Sequence, residues 1–211
     1  MNFTFPRVYP ILDSYVVPAI GRAEYLHRLG TSLADAGVTL LEYRNKVASD
    51  AVLVADGEIL RAAMPNVKLI LDDRADLIDQ LSFDGVHVDA GDVSPREARR
   101  ILGPDRIIGT FGGSDSLLPG VLTEPADYFA VGPVYTTTTK HTNKAPIGLK
   151  GVRRLREQAG PKVVLTAAAG ITLENAQAVL DAGANTVAVS AAIFRAANPA
   201  AEFKRWIDQL R

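Results

Sequence analysis

Eight short runs rich in Val, Ile and Leu recur along the chain at intervals of roughly 20 to 30 residues, with helical patterns between them. They are Arg7–Asp13, Thr39–Asn45, Lys68–Asp73, Gly85–Asp89, Arg106–Phe111, Asp127–Val134, Lys162–Gly170 and Thr186–Phe194. Each is apolar nearly throughout rather than alternating, as suits parallel strands covered on both faces. Several follow a similar small phrase: Asp35-Ala36-Gly37, Asp84-Gly85 and Asp181-Ala182-Gly183. One βα unit used repeatedly accounts for this. Eight strands in strict alternation with about eight helices predict an α/β fold of the closed kind, a (β/α)8 TIM barrel, as a single domain over residues 1–211. An open doubly wound sheet would call for a glycine-rich dinucleotide turn after its first strand, and none is present.

The helices have legible ends. Ser94-Pro95 followed by Glu97 predicts an N-cap, a proline at the first helical position and a capping box, with Gly103 as the stop. Thr172-Leu173-Glu174-Asn175 opens another helix, stopped by Gly183. Asn198-Pro199 opens the last, which sets Phe203, Trp206, Ile207 and Leu210 on one face.

Composition narrows the partners. A net charge of −1 with no basic block excludes nucleic acid and an anionic membrane surface as expected partners. The apolar runs are too short and too often interrupted to span a bilayer, and Met1 to Pro6 lack the features of a signal peptide, so a cytoplasmic location is the expectation. The absence of cysteine removes disulfides, thiolate metal sites and thiol nucleophiles. Small phosphorylated molecules are the expected partners, with a homo-oligomer left open.

In such a barrel, chemistry sits where strands end and loops begin. Glu42, Arg44 and Lys46 end the second run at a spacing of two, so all three point the same way. Asp72 and Asp73 end the third run, His87, Asp89 and Asp92 the fourth, and Thr136 to Lys140 follow the sixth. Arg44, Lys46 and Lys140 are cations suited to phosphate oxygens. Asp73 and Asp92 are hard oxygen ligands suited to Mg2+, unless they serve in ion pairs with Arg74 or Arg44. Cations, carboxylates and Mg2+ together suit a pyrophosphate leaving group, whose charge grows as its bond breaks. The small-residue turn Ala167–Thr172 and the stretch Ser190-Ala191-Ala192 suggest a second phosphate site at the last two strands, against the plainer account of close packing. His87 reads as a packed strand histidine. No Ser lies in a nucleophile-elbow context, so covalent catalysis has little support.

The order of these motifs resembles the thiamine phosphate synthase family over nearly the whole chain. The matching stretches are Leu-Glu-Tyr-Arg-Asn-Lys at 41–46, Leu-Asp-Asp-Arg-Ala-Asp-Leu at 71–77, Asp-Gly-Val-His-Val at 84–88, Arg-Ile-Ile-Gly at 106–109, Gly-Ile-Thr-Leu-Glu-Asn-Ala at 170–176 and Val-Ala-Val-Ser-Ala-Ala-Ile-Phe at 187–194. The most specific is Val-Gly-Pro-Val-Tyr-Thr-Thr-Thr-Thr-Lys at 131–140. The resemblance implies condensation of hydroxymethylpyrimidine pyrophosphate with thiazole phosphate by a dissociative, Mg2+-assisted route. It implies that Asp73 and Asp92 hold the metal and that Arg44, Lys46 and Lys140 hold pyrophosphate. Thr137 and Thr139 would line the thiazole phosphate side, with Gly170 and Ser190 contacting phosphate.

Departures from the family pattern cluster on the pyrimidine side. Glu42 stands where the family has Gln, Asp72 where it has Asn, and Phe111 where a Ser is expected. The family's Gly-Gly before Ile-Thr is Ala169-Gly170. A carboxylate accepts hydrogen bonds where an amide also donates, so a more donor-rich or protonated ring is the expectation. Alternatives are a divergent paralogue with another pyrimidine-side substrate, a thiazole tautomerase, and a silent barrel that binds phosphorylated ligands. The loops 47–50 and 136–146 are the candidate lids.

Overall fold

The computed structural model of the protein describes residues 3–137 and 144–210. Its eight strands are β1 (Val8–Asp13), β2 (Leu40–Arg44), β3 (Lys68–Asp72), β4 (Gly85–Val88), β5 (Ile107–Gly113), β6 (Tyr128–Val131), β7 (Leu165–Ala168) and β8 (Thr186–Val189). Each pairs in parallel with its neighbour in sequence, and β8 pairs with β1, so the sheet closes into a barrel. The helices are α1 (Arg22–Asp35), α2 (Asp50–Ala63), α3 (Pro95–Leu102), α4 (Gly148–Ala159), α5 (Leu173–Asp181), α6 (Ala191–Phe194) and α7 (Pro199–Gln209).

The expected helix ends are present, except that the capping box at Ser94 is only half formed: the Glu97 carboxylate accepts from Arg100 instead of the Ser94 amide. The Ser94 hydroxyl accepts from the Glu97 amide, with Pro95 in the first turn and Gly103 closing α3. Thr172 and Asn175 form a reciprocal cap on α5. The Asn198 side chain accepts from the Ala201 amide at the start of α7, which buries Phe203 and Trp206.

Two expectations need correction. Helix and strand do not alternate strictly: the β3–β4 and β5–β6 connections hold only single 3-10 turns, Ala75–Leu77 and Val121–Thr123. Pro119, Gly120 and Pro125 break any helix in the second connection. The first, running from Asp73 to Asp84, contains no α-helix. The eighth apolar run is also two elements rather than one. Its strand stops at Val189, and α6 follows the turn at Ser190. Ile193 and Phe194 of α6 are as buried as the strand, so burial kept the sequence apolar across the boundary.

Alternation along the strands builds two cores. Outward residues such as Leu12, Leu41, Leu71, Val86, Ile108, Phe129 and Val187 pack under the helices. Inward residues Tyr9, Leu40, Ile70, Ile107, Tyr128 and Ala188 fill the barrel, and Phe3 and Phe5 pack against them. Above that layer the inward side chains turn polar, and there the site begins. Among the described residues no helix is long and apolar enough to cross a membrane.

Candidate active site

A cavity of about 670 Å3 opens at the C-terminal ends of the strands. Its wall takes the inward-facing residue from strand after strand: Asp13, Glu42, Arg44, Asp72, His87, Phe111, Thr166 and Ser190. The parity of each strand selects them, because register sets Asp13 opposite Arg44, Asp72 opposite His87 and Phe111 opposite Ala130.

The rim is a ladder of alternating charge. Arg44 is hydrogen-bonded to Asp13, and its Nε lies 3.0 Å from an Asp72 oxygen. Lys46, just past β2, bonds Asp73 and lies 3.5 Å from Asp72. Arg74 pairs with Asp50 and Asp76, and so is not the counter-ion of Asp73 or Asp92. Asp73 holds a left-handed backbone at φ 74°, an uncommon conformation for a residue with a Cβ, and its amide donates to the His87 carbonyl. One Asp73 oxygen, Oδ1, is buried with no hydrogen-bond partner. The Asp92 carboxyl faces that of Asp73 and accepts from the Asp89 amide at 2.8 Å. Burial and the Asp73 carboxylate push Asp92 up. Asp73, which burial alone would raise, is held below its ordinary value by Asp92 and Lys46. Two carboxyls that face one another, one with an orphaned oxygen, form a hard anionic pair suited to a divalent cation.

Beneath the rim runs a buried polar chain that the sequence did not reveal. Tyr9 donates to Glu42 at 2.8 Å, and the Tyr9 and Tyr128 hydroxyls are 3.0 Å apart. Tyr128 lies 3.0 Å from His87 Nδ1, and His87 Nε2 lies 3.8 Å from Asp89. A hydroxyl has one proton, so Tyr9 spends its own on Glu42 and accepts from Tyr128, which accepts from His87. His87 is thus a packed strand histidine, as expected, and also part of the cavity wall. Burial alone would lower its pKa, but Asp89, Glu42 and Asp72 outweigh it and raise His87 to about 9. Asp72 is pushed up to about 8 by burial and by the Glu42 charge, against His87 and Lys46.

Both shifts act on stability with one sign. Above pH 6.5 an unfolded histidine sheds its proton while folded His87 keeps it, so its contribution is complete below that pH and is lost as pH rises through 9. Raised Asp72 likewise favours the fold at lower pH. Thermal melts are therefore expected to show a Tm that falls between about pH 6.5 and 9, and less steeply in His87→Asn. A Tm that climbs across that window in the parent protein would contradict this assignment.

The far wall is built on small residues. Ala169 and Gly170 both have positive φ, 76° and 68°, and at position 170 a Cβ would lie 2.6 Å from the Thr136 carbonyl oxygen. Glycine there lets the loop after β6 pack on the end of β7, where Tyr135 donates its amide to the Ala169 carbonyl at 3.1 Å. Close packing therefore explains Gly170, which also lines the cavity. The Ser190 hydroxyl is buried with no hydrogen-bond partner in the same wall. Thr137 lines it too, whereas Thr139, Lys140 and most of the loop 136–146 lie outside the described residues. Phe111 belongs to β5 itself, and its ring carries the Lys144 ammonium 3.9 Å from the centroid. Tyr9, Asp13, Tyr128 and Lys144 escaped the sequence analysis. Counting back by twos from each strand end finds Asp13 and Tyr9, but the Lys144–Phe111 contact joins distant segments and leaves no local signal.

Comparison with known proteins agrees with this architecture. The family model described as thiamine monophosphate synthase matches residues 8–193. A thiamine-phosphate synthase of Koribacter versatilis (strain Ellin345) is 38% identical over 187 residues, covering 88% of each chain. One from Agrobacterium fabrum is 35% identical over 205 residues, covering 93% of each. The solved thiamine phosphate pyrophosphorylase from Pyrococcus furiosus superposes with a TM-score of 0.75 at 25% identity, covering 97% of this chain and 96% of that one. Similarity that runs from the first strand past the last makes this chain a member of the thiamine monophosphate synthase family.

Proposed function

We propose that the protein joins hydroxymethylpyrimidine pyrophosphate to thiazole phosphate, releasing pyrophosphate and forming thiamine phosphate. The observation that carries this is one cavity lined by Arg44, Asp13, Asp72 and Asp89 on one side and by a small-residue wall on β7 and β8 on the other. Lys46 and Asp73 adjoin it through Asp72 without lining it. The rim would receive the pyrophosphate and the wall the thiazole phosphate, with the two rings between them.

As the carbon–oxygen bond of the pyrophosphate ester breaks, negative charge builds on the departing oxygens. Arg44 and Lys46 meet it with fixed positive charge, already oriented by Asp13, Asp72 and Asp73. Lys140 joins them by the family resemblance. The aryl-methyl cation left behind is captured by the thiazole nitrogen. No protein nucleophile takes part, and buried Glu42 and Asp72 set acidic side chains on the ring side of the cavity. Asp73 and Asp92 fit Mg2+: the pair is hard and anionic, and Asp73 Oδ1 has no hydrogen-bond partner. When bound, the ion would neutralise phosphate oxygens and help pyrophosphate depart.

Glu42 favours a ring with a donor-rich edge, since a carboxylate only accepts hydrogen bonds, whereas Asp72, pushed up to about 8, can also donate. The test is to incubate the protein with both substrates and Mg2+ and follow pyrophosphate and thiamine phosphate together. Turnover that is abolished by EDTA and lowered at least about a hundredfold in Asp92→Ala is expected. Binding of either substrate without turnover would overturn the synthase function, and would leave a barrel redirected by Glu42, Asp72 and Phe111.

A further inference from the structure

Behind the strand end that carries Arg44 and Lys46 lies a buried polar cluster that no step of this reaction uses. Tyr43 faces outward from β2 and is fully buried. Its neighbours in the same row of the barrel are Leu12 on β1 and Leu71 on β3. An apolar side chain would satisfy that layer, yet β2 places a hydroxyl there. The Tyr43 hydroxyl donates to Asp56 of α2 and accepts from Arg22 of α1 at 3.0 Å and from the Asn45 amide at 3.1 Å. One proton given and two lone pairs filled is the full capacity of a hydroxyl. Asp56, 2% exposed, is held by both Nε and Nη2 of Arg22, at 2.8 and 2.6 Å. A buried ion pair of this kind is a poor source of net stability compared with apolar packing, so its use at this position calls for another reason.

The cluster converges on Asn45, the residue between the two rim cations. Arg44 is the last residue of β2, and beyond it no ladder hydrogen bonds hold the chain. The Asn45 side chain, 91% buried by its 9% exposure, ties that first free residue back to Tyr43 and so to both α1 and α2. We propose that Tyr43 and Asn45, braced by the Arg22–Asp56 pair, are positioning residues that hold the Arg44–Lys46 segment in the geometry that receives pyrophosphate. This inference rests on the pyrophosphate role proposed above for Arg44 and Lys46. An error of about 1 Å in such a segment is enough to weaken a charge-recognition site considerably.

Calorimetric titration with inorganic pyrophosphate plus Mg2+, and separately with thiazole phosphate, tests it in the parent protein, Tyr43→Phe, Asn45→Ala, the double variant and Arg44→Ala. Pyrophosphate affinity is expected to fall about tenfold in each of Tyr43→Phe and Asn45→Ala, with thiazole phosphate affinity unchanged. The double variant should be little worse than either single one, because both break the same connection. Should Tyr43→Phe fail to fold, Asn45→Ala, which leaves the Tyr43–Asp56–Arg22 contacts in place, decides. Unchanged pyrophosphate affinity in the folded variants would overturn the proposal, as would equal weakening of both ligands. If Arg44→Ala alone loses pyrophosphate, the positioning role falls and the proposed function stands. If the parent protein binds no pyrophosphate, both fall together.

Discussion

Arg44→Ala is expected to lower kcat/KM by about two to three orders of magnitude, the usual cost of removing one preplaced group that meets developing negative charge. Three features make this the largest single loss. Arg44 lines the cavity, it is already oriented by Asp13 and Asp72, and its guanidinium can grip two phosphate oxygens at once. Removing it also strands two acidic groups that are largely buried, which costs stability as well. Arg44→Lys separates the effects, since it keeps the charge and loses the fork. The lysine variant should recover most of the thermal stability and only part of the rate. Steady-state kinetics beside thermal melts read both, and a kcat/KM for Arg44→Ala close to that of the parent would remove Arg44 from the mechanism.

Gly109→Ala is the substitution expected to cost most stability for its size. A Cβ at 109 would sit 1.9 Å from Cζ of Tyr128 and 2.3 Å from its hydroxyl oxygen. Residue 109 stands between His87 and Tyr128 in one row of the barrel, on the strand that separates them. Because it has no side chain, the two rings meet across it, stacked with centroids 5.5 Å apart and bonded at 3.0 Å. Adding one methyl must drive Tyr128 off both His87 and Tyr9, in a core with little room to yield. A loss of about 3 kcal/mol is expected, with a fall in Tm on the order of 10 °C. The near-ultraviolet tyrosine signal should change with it. A Tm near that of the parent, with that signal intact, would show that the ring can move aside without cost.

Much of the barrel is written locally. The apolar runs, the Ser94-Pro95 and Asn198-Pro199 caps and the glycine stops describe elements whose hydrogen bonds close within a few residues, so sequence alone places them. Charges gathered at one end of β2, β3 and β4 mark the active end for the same reason, because strand parity is a local property. The helices expected after β3 and β5 are absent, and in the second connection Pro119, Gly120 and Pro125 are the reason.

What each charge faces was decided by the tertiary structure. The sequence set Asp73 and Asp92 apart as metal ligands and Asp72 as a ring-side residue, but not what each one faces. Folding buries Asp72 beside Glu42, sets Asp73 against Lys46 and turns Asp92 toward Asp73, so the three titrate differently. The chain from His87 through Tyr128 and Tyr9 to Glu42 joins four strands, and the Arg22–Asp56–Tyr43–Asn45 cluster joins two helices to one strand end. Neither has a signature in one dimension, because hydrogen bonds and burial depend on distances that only barrel closure and helix packing set. The sequence by itself determined the repeating unit, the end of the barrel that does chemistry and the residue types found there. Their partners, protonation and orientation belong to the three-dimensional fold.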